Sequence, residues 1–134
     1  MKIFLDTANL DDIRKYNDMG LLDGITTNPS LLAKEGGDPH KVMEEITKII
    51  KGDVSLEVVS TDYDGMMTEG KKLREYGDHV VVKCPMTADG LKACKSLTEQ
   101  GIPVNVTLIF SSNQALLAAK AGAKYVSPFI GRLD

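Results

Sequence analysis

Lys83 closes a run of three valines, Val80–Val82, and is followed by Cys84-Pro85. A lysine so placed has two readings. It can snorkel to a hydrated rim, or it can point into a partly dry pocket. In such a pocket an amine loses proton affinity and becomes a nucleophile towards a carbonyl carbon. Two carboxylates end or interrupt other apolar runs: Asp6 after Ile3-Phe4-Leu5, and Glu57 between Leu56 and Val58. They are the strand-end acids available for proton transfer near an amine. Amides and hydroxyls follow the same placement, with Thr26, Thr27 and Asn28 before Pro29, Asn105 and Thr107 in one run, and Ser127 in the last, with the cation Arg132 following it. Lysine with carboxylates points to imine chemistry. Each residue also has a local alternative. Asp6 could cap a helix, and Asn28 before proline could be a turn residue. Glu57 is harder to dismiss, because burying a carboxylate without a partner is costly. The two histidines, His40 and His79, have no metal-ligand spacing, and Cys84 and Cys94 form no CxxC pair. No metal site is expected.

These side chains need elements to hold them. β-Type runs cover Lys2–Asp6, Gly24–Thr27 (halted by Asn28-Pro29), Val54–Val59, His79–Lys83, Val104–Phe110 and Lys124–Ile130. Helical patterns lie between them. Ile13, Tyr16 and Leu21 follow a cap drawn from Thr7, Asn9 or Asp11. Val42, Ile46, Ile49 and Ile50 share one helical face, and Met66, Met67, Leu73 and Tyr76 mark a looser one. Leu91–Leu97 closes at Gly101, and an Ala-rich helix over Asn113–Gly122 closes at Gly122. Strands separated by helices predict βα units on a parallel sheet. Their starts recur about every 24 residues, the spacing of a (β/α)8 barrel. A doubly wound nucleotide-binding sheet is the competing architecture. Its glycine-rich loop is missing, since Asp6-Thr7-Ala8-Asn9 follows the first strand. The barrel is preferred, and its chemistry belongs at the C-terminal strand ends, where the polar set falls.

Composition narrows the class. The chain has 134 residues, 43% hydrophobic and 26% charged, with a formal net charge of −3. That is ordinary for a globular protein, and no basic face accumulates for a nucleic acid. No segment approaches the about 18 apolar residues of a membrane span, and the N-terminus lacks a signal-peptide pattern. Two cysteines are too few for a disulfide framework. A cytoplasmic protein without nucleic-acid or membrane partners is expected.

The stretches Phe4–Asn9, Gly24–Ser30, Val82–Thr87, Asn105–Phe110 and Tyr125–Asp134 resemble the transaldolase family. The likeness is to its small subgroup, which includes the fructose-6-phosphate aldolases. That resemblance implies a class I, Schiff-base enzyme of the pentose phosphate pathway that uses no metal or cofactor. It would act on sugar phosphates such as sedoheptulose 7-phosphate or fructose 6-phosphate, and the complete protein would be a homo-oligomer. Under it, Lys83 is the imine-forming lysine and Asp6 the acid/base. Glu57 and Thr107 match the pair that holds a catalytic water. Asn28 and Asn105 match side chains that bind the hydroxyls of a retained dihydroxyacetone unit. Ser127 matches a further polar contact, Arg132 a phosphate-binding arginine, and Thr26 joins the substrate-binding positions.

Within the subgroup two positions discriminate. Aldolase members resemble this chain but usually carry Gln at the place of Glu57 and Tyr at that of Phe129. Glu57 and Phe129 imply a transaldolase. Cys84 replaces a branched apolar residue of similar size, with little effect expected. The alternatives are a fructose-6-phosphate aldolase, and a half-barrel that binds sugar phosphate or partners without turnover. Eight βα units would need roughly 195 residues. Residues 1–134 are therefore expected to form a single partial barrel domain of about six units, with the last two absent.

Overall fold

A computed structural model describes residues 1–131. Strands β1 (Phe4–Asp6), β2 (Gly24–Thr26), β3 (Asp53–Glu57), β4 (Val80–Pro85), β5 (Val104–Ile109) and β6 (Tyr125–Pro128) alternate with helices. The helices are α1 (Leu10–Asp18), α2 (Pro29–Glu35), α3 (Pro39–Ile49), α4 (Tyr63–Arg74), α5 (Ala88–Glu99) and α6 (Ser112–Lys120). Strand order in the sheet follows chain order, β1-β2-β3-β4-β5-β6. Successive parallel strands joined by helices are the βα repeat of the (β/α)8 barrel fold. The described chain supplies six of its strands. It forms two compact units, Met1–Glu57 with Glu75–Val80, and Val58–Arg74 with the residues from Val81 onward.

In the first unit β1 pairs with β2 and β2 with β3, all parallel. Helix α1 starts at Asn9, whose side chain accepts from Asp12 N, so the cap falls on one of the three residues expected. Helix α2 has no counterpart among the expected elements, because seven residues are too short to show a helical period. Asn28 and Pro29 nonetheless mark its start: Asn28 caps it, and proline at the first helical position lacks only an N–H that would have no helical partner. In α3 the buried residues are Met43, Ile46 and Thr47, with Ile50 buried just beyond. Of the expected face, Ile46 and Ile50 are buried, while Val42 and Ile49 are half-buried and Met43 and Thr47 complete the buried stripe.

In the second unit β4 pairs with β5 and β5 with β6, again parallel. Val82, Cys84, Val104, Val106 and Ile109 pack with Met66, Met67, Ala93, Cys94, Leu97 and Ala118 of the helices. Burying one such apolar side chain contributes about 1.5–3 kcal/mol. Burial also pushes the Cys94 thiol pKa up, against a smaller lowering from Thr98. Helices α5 and α6 both end on glycines in the left-handed region, Gly101 at φ 80° and Gly122 at φ 103°. Each reversal is closed by paired backbone bonds. Ile102 N donates to Leu97 O and Gly101 N to Thr98 O, and Ala123 and Gly122 repeat the pattern on Ala118 and Ala119. These reversals turn the chain directly into β5 and β6.

Strand β5 is irregular. Its register to β6 shifts between Thr107 and Ile109, and Leu108 has φ 62°, the positive value that L side chains avoid. A β-branched residue tolerates that backbone still less. Leu108→Ile is therefore expected to lower stability by about 1 kcal/mol, within the range of strain held at such sites. Urea unfolding of the two proteins checks this, and an unchanged midpoint would show that the bulge relaxes freely.

Candidate active site

Each unit presents part of the polar set. In the first, Asp6 is paired in register with Thr26, and Thr26 with Ser55. Neighbours in register share a sheet face. Thr26 Oγ1 donates to Asp6 Oδ1 at 2.9 Å. Asp6 is thus no helix cap; Asn9 has that task. Alternation along β3 puts Glu57, two residues after Ser55, on the same face, and Glu57 is half-buried. Ser55 itself is fully buried. It was not among the expected site residues, although the alternation Asp53, Ser55, Glu57 was there to show it. Asn28 Oδ1 accepts from Leu31 N at 2.9 Å, so the residue is a cap, and its amide NH2 takes no part in that bond. Thr27 is buried, and its backbone N donates to Ser55 O.

In the second unit Val82 and Cys84 face the helices. Lys83 between them points to the opposite face and is only 6% exposed. It does not lie on a solvated rim. Lys83 pairs in register with Asn105, and Thr107 with Ser127. Asn105 is 2% exposed, and its Oδ1 accepts from Ser127 Oγ at 2.8 Å. That bond turns the asparagine NH2 away from Ser127 and fixes the amide's orientation. Thr107 is also buried, and its hydroxyl oxygen has no hydrogen-bond partner among the described residues. A buried hydroxyl left unsatisfied costs about 1–3 kcal/mol. A bound water or substrate hydroxyl would satisfy it. The rings of Phe110 and Phe129 meet edge to face at 5.5 Å.

The loop after β3 is pinned by a residue that spacing did not reveal. Glu69 Oε2 on α4 accepts both Val59 N at 3.0 Å and Ser60 N at 2.9 Å. Among the described residues no group of three or more His, Cys, Asp or Glu is arranged to hold a metal ion. No helix among them is long and apolar enough to cross a membrane. Arg132 lies outside the described residues.

Residues 3–134 match the transaldolase/fructose-6-phosphate aldolase family. The chain belongs to that family. It is 81% identical over 134 residues to a probable transaldolase of Nitrosopumilus maritimus, covering 100% of this chain and 60% of that protein. A probable transaldolase of Methanococcus vannielii is 59% identical, again over the whole chain and 62% of its own length. The chain therefore spans about three fifths of the curated relatives it matches. Among solved structures, the carboxyl transferase domain of Rhizobium etli pyruvate carboxylase aligns at a TM-score of 0.62 and 18% identity. It covers 94% of this chain and 26% of that one. At such identity the likeness is one of fold.

Proposed function

We propose that the whole protein is a class I transaldolase that moves a dihydroxyacetone unit from a ketose phosphate to an aldose phosphate. The observation that supports this most is Lys83, an amine held 6% exposed on the face opposite the helix-packed core, in register with Asn105. Its Nζ adds to the ketone carbon of fructose 6-phosphate or sedoheptulose 7-phosphate, and loss of water leaves a protonated imine. The imine is an electron sink. Asp6 takes the proton of the hydroxyl on the carbon beyond the scissile bond. The bond's electrons pass into the imine to give an enamine, and the aldose phosphate leaves. The enamine then adds to an acceptor aldehyde, whose oxygen regains a proton. Hydrolysis of the new imine frees the product ketose and the amine.

The other residues fit around this sequence. Glu57 and Thr107 hold the water that dehydration releases and hydrolysis consumes, a role suited to the buried Thr107 hydroxyl. Asn28 and Asn105 bind hydroxyls of the three-carbon unit through amide NH2 groups whose carbonyl oxygens are already engaged. Thr26 and Ser127 orient Asp6 and Asn105 through those bonds. Arg132 binds the phosphate. The substrates place the reaction in the pentose phosphate pathway, in the cytoplasm, and the active species is a homo-oligomer. No cofactor takes part.

Borohydride reduction in the presence of fructose 6-phosphate tests the chemistry. A three-carbon adduct on Lys83 is expected, and labelling of another lysine alone would overturn the assignment. Glu57 and Phe129 favour transfer over aldol release. Phe129→Tyr in the whole protein is expected to raise release of free dihydroxyacetone from fructose 6-phosphate by about tenfold, the effect of one added hydrogen bond to a catalytic water. A wild-type protein that releases the free ketone faster than it transfers it would contradict this preference.

A further inference from the structure

The bulge in β5 changes which side chains reach the face that carries Lys83. In an unbroken strand alternate residues share a face, so Val104, Val106, Leu108 and Phe110 would lie together. The core shows otherwise. Val104 and Val106 pack against the helices, and the next strand residue in that cluster is Ile109. The register agrees, with Val106 opposite Val126, Thr107 opposite Ser127, and Ile109 opposite Pro128. Leu108, at φ 62°, is the extra residue. It shifts the alternation by one, so Phe110 follows Asn105 and Thr107 instead of Val106. On β6, Phe129 follows Ser127 by two residues. The two rings accordingly meet, at 5.5 Å between centroids and 62° between planes. Phe129 N also donates to Ile109 O at 2.9 Å, which ties the end of the bulge to the same residue.

We propose that Phe110, carried onto this face by the Leu108 bulge, is a positioning residue for Phe129 and sets how the bound three-carbon unit divides between transfer and release. The proposal rests on the transaldolase reading above. The enamine on Lys83 has two fates. Its carbon can attack an acceptor aldehyde, or it can take a proton from water. In the second case another water hydrolyses the resulting imine, dihydroxyacetone departs, and the lysine amine is restored. An apolar ring held in one orientation keeps water from the enamine carbon. The edge-to-face contact with Phe110 provides that hold. Phe110 is itself 36% exposed, so its removal opens the ring of Phe129 to solvent from that side.

The test measures, in the whole protein, the ratio of dihydroxyacetone released to dihydroxyacetone transferred, together with borohydride trapping on Lys83. Phe110→Ala is expected to raise the ratio about threefold to tenfold, the range of a lost ring pair, with trapping intact. Phe110→Leu, which retains an apolar wall and folds more safely, is expected to recover much of the wild-type ratio. If Phe110 acts through Phe129, the Phe110→Ala/Phe129→Ala double variant matches Phe129→Ala alone. A wild-type ratio in Phe110→Ala with trapping intact would overturn the proposal alone. So would effects of the two alanines that multiply independently. Failure to trap wild-type protein would instead remove the transaldolase reading, and this proposal with it.

Discussion

Lys83→Met in the whole protein is expected to lose both the borohydride-trapped adduct and all measurable transfer, while remaining folded. Methionine has nearly the length of lysine and no ionisable group. The lysine side chain it replaces is 6% exposed, between Val82 and Cys84 at 0%. Methionine fills nearly the same volume, so the packing around this position is kept and the variant should remain folded; the urea midpoint reads this independently of activity. That combination separates chemistry from folding. A variant that still transfers the three-carbon unit would show that Lys83 is not the nucleophile. A variant that unfolds would show that the amine is a structural partner at this place.

Asp6→Asn should separate imine formation from bond cleavage. The amide keeps an oxygen that can accept from Thr26 Oγ1, the bond now measured at 2.9 Å, but it cannot take a proton at neutral pH. Loss of a positioned general base lowers rate by about 10²–10⁴-fold. Lys83 should still form the imine with the donor. The cleavage that follows would then be slow, and the trapped adduct should carry the whole six- or seven-carbon sugar phosphate instead of three carbons. Mass spectrometry of the reduced protein reads that difference directly. A three-carbon adduct formed at the wild-type rate would assign the proton transfer to another group.

Much of the candidate site is visible in one dimension because each signal is local. Lys83 stands out where valines stop, Asp6 where Ile3-Phe4-Leu5 stops, and Asn28-Pro29 where a β-branched run ends. Strand and helix periods arise from side-chain spacing along the backbone, so the alternation of six strands with helices could be read without coordinates. Helix ends were legible too, since Gly101 and Gly122 do what a glycine after a helical pattern predicts.

What depended on partners far along the chain could not be read this way. Asp6 has a local cap reading and a tertiary one, and only the parallel pairing of β1 with β2 brings Thr26 to it. Asn105 and Ser127 are 22 residues apart, and their bond exists because β5 and β6 lie side by side. Glu69 holds backbone ten residues earlier because α4 folds back along the loop it follows. The bulge at Leu108 is the sharpest case. Val104–Ile109 has the pattern of an ordinary strand, and leucine has no intrinsic preference for a positive φ. That conformation is imposed by the register with β6, which places Ile109 rather than Leu108 opposite Pro128. A one-residue shift in register exchanges the two faces of a strand. The sequence thus determined which side chains could do the chemistry. The tertiary structure decided which of them share a face with Lys83, because faces are set by pairing between strands and not by spacing within one.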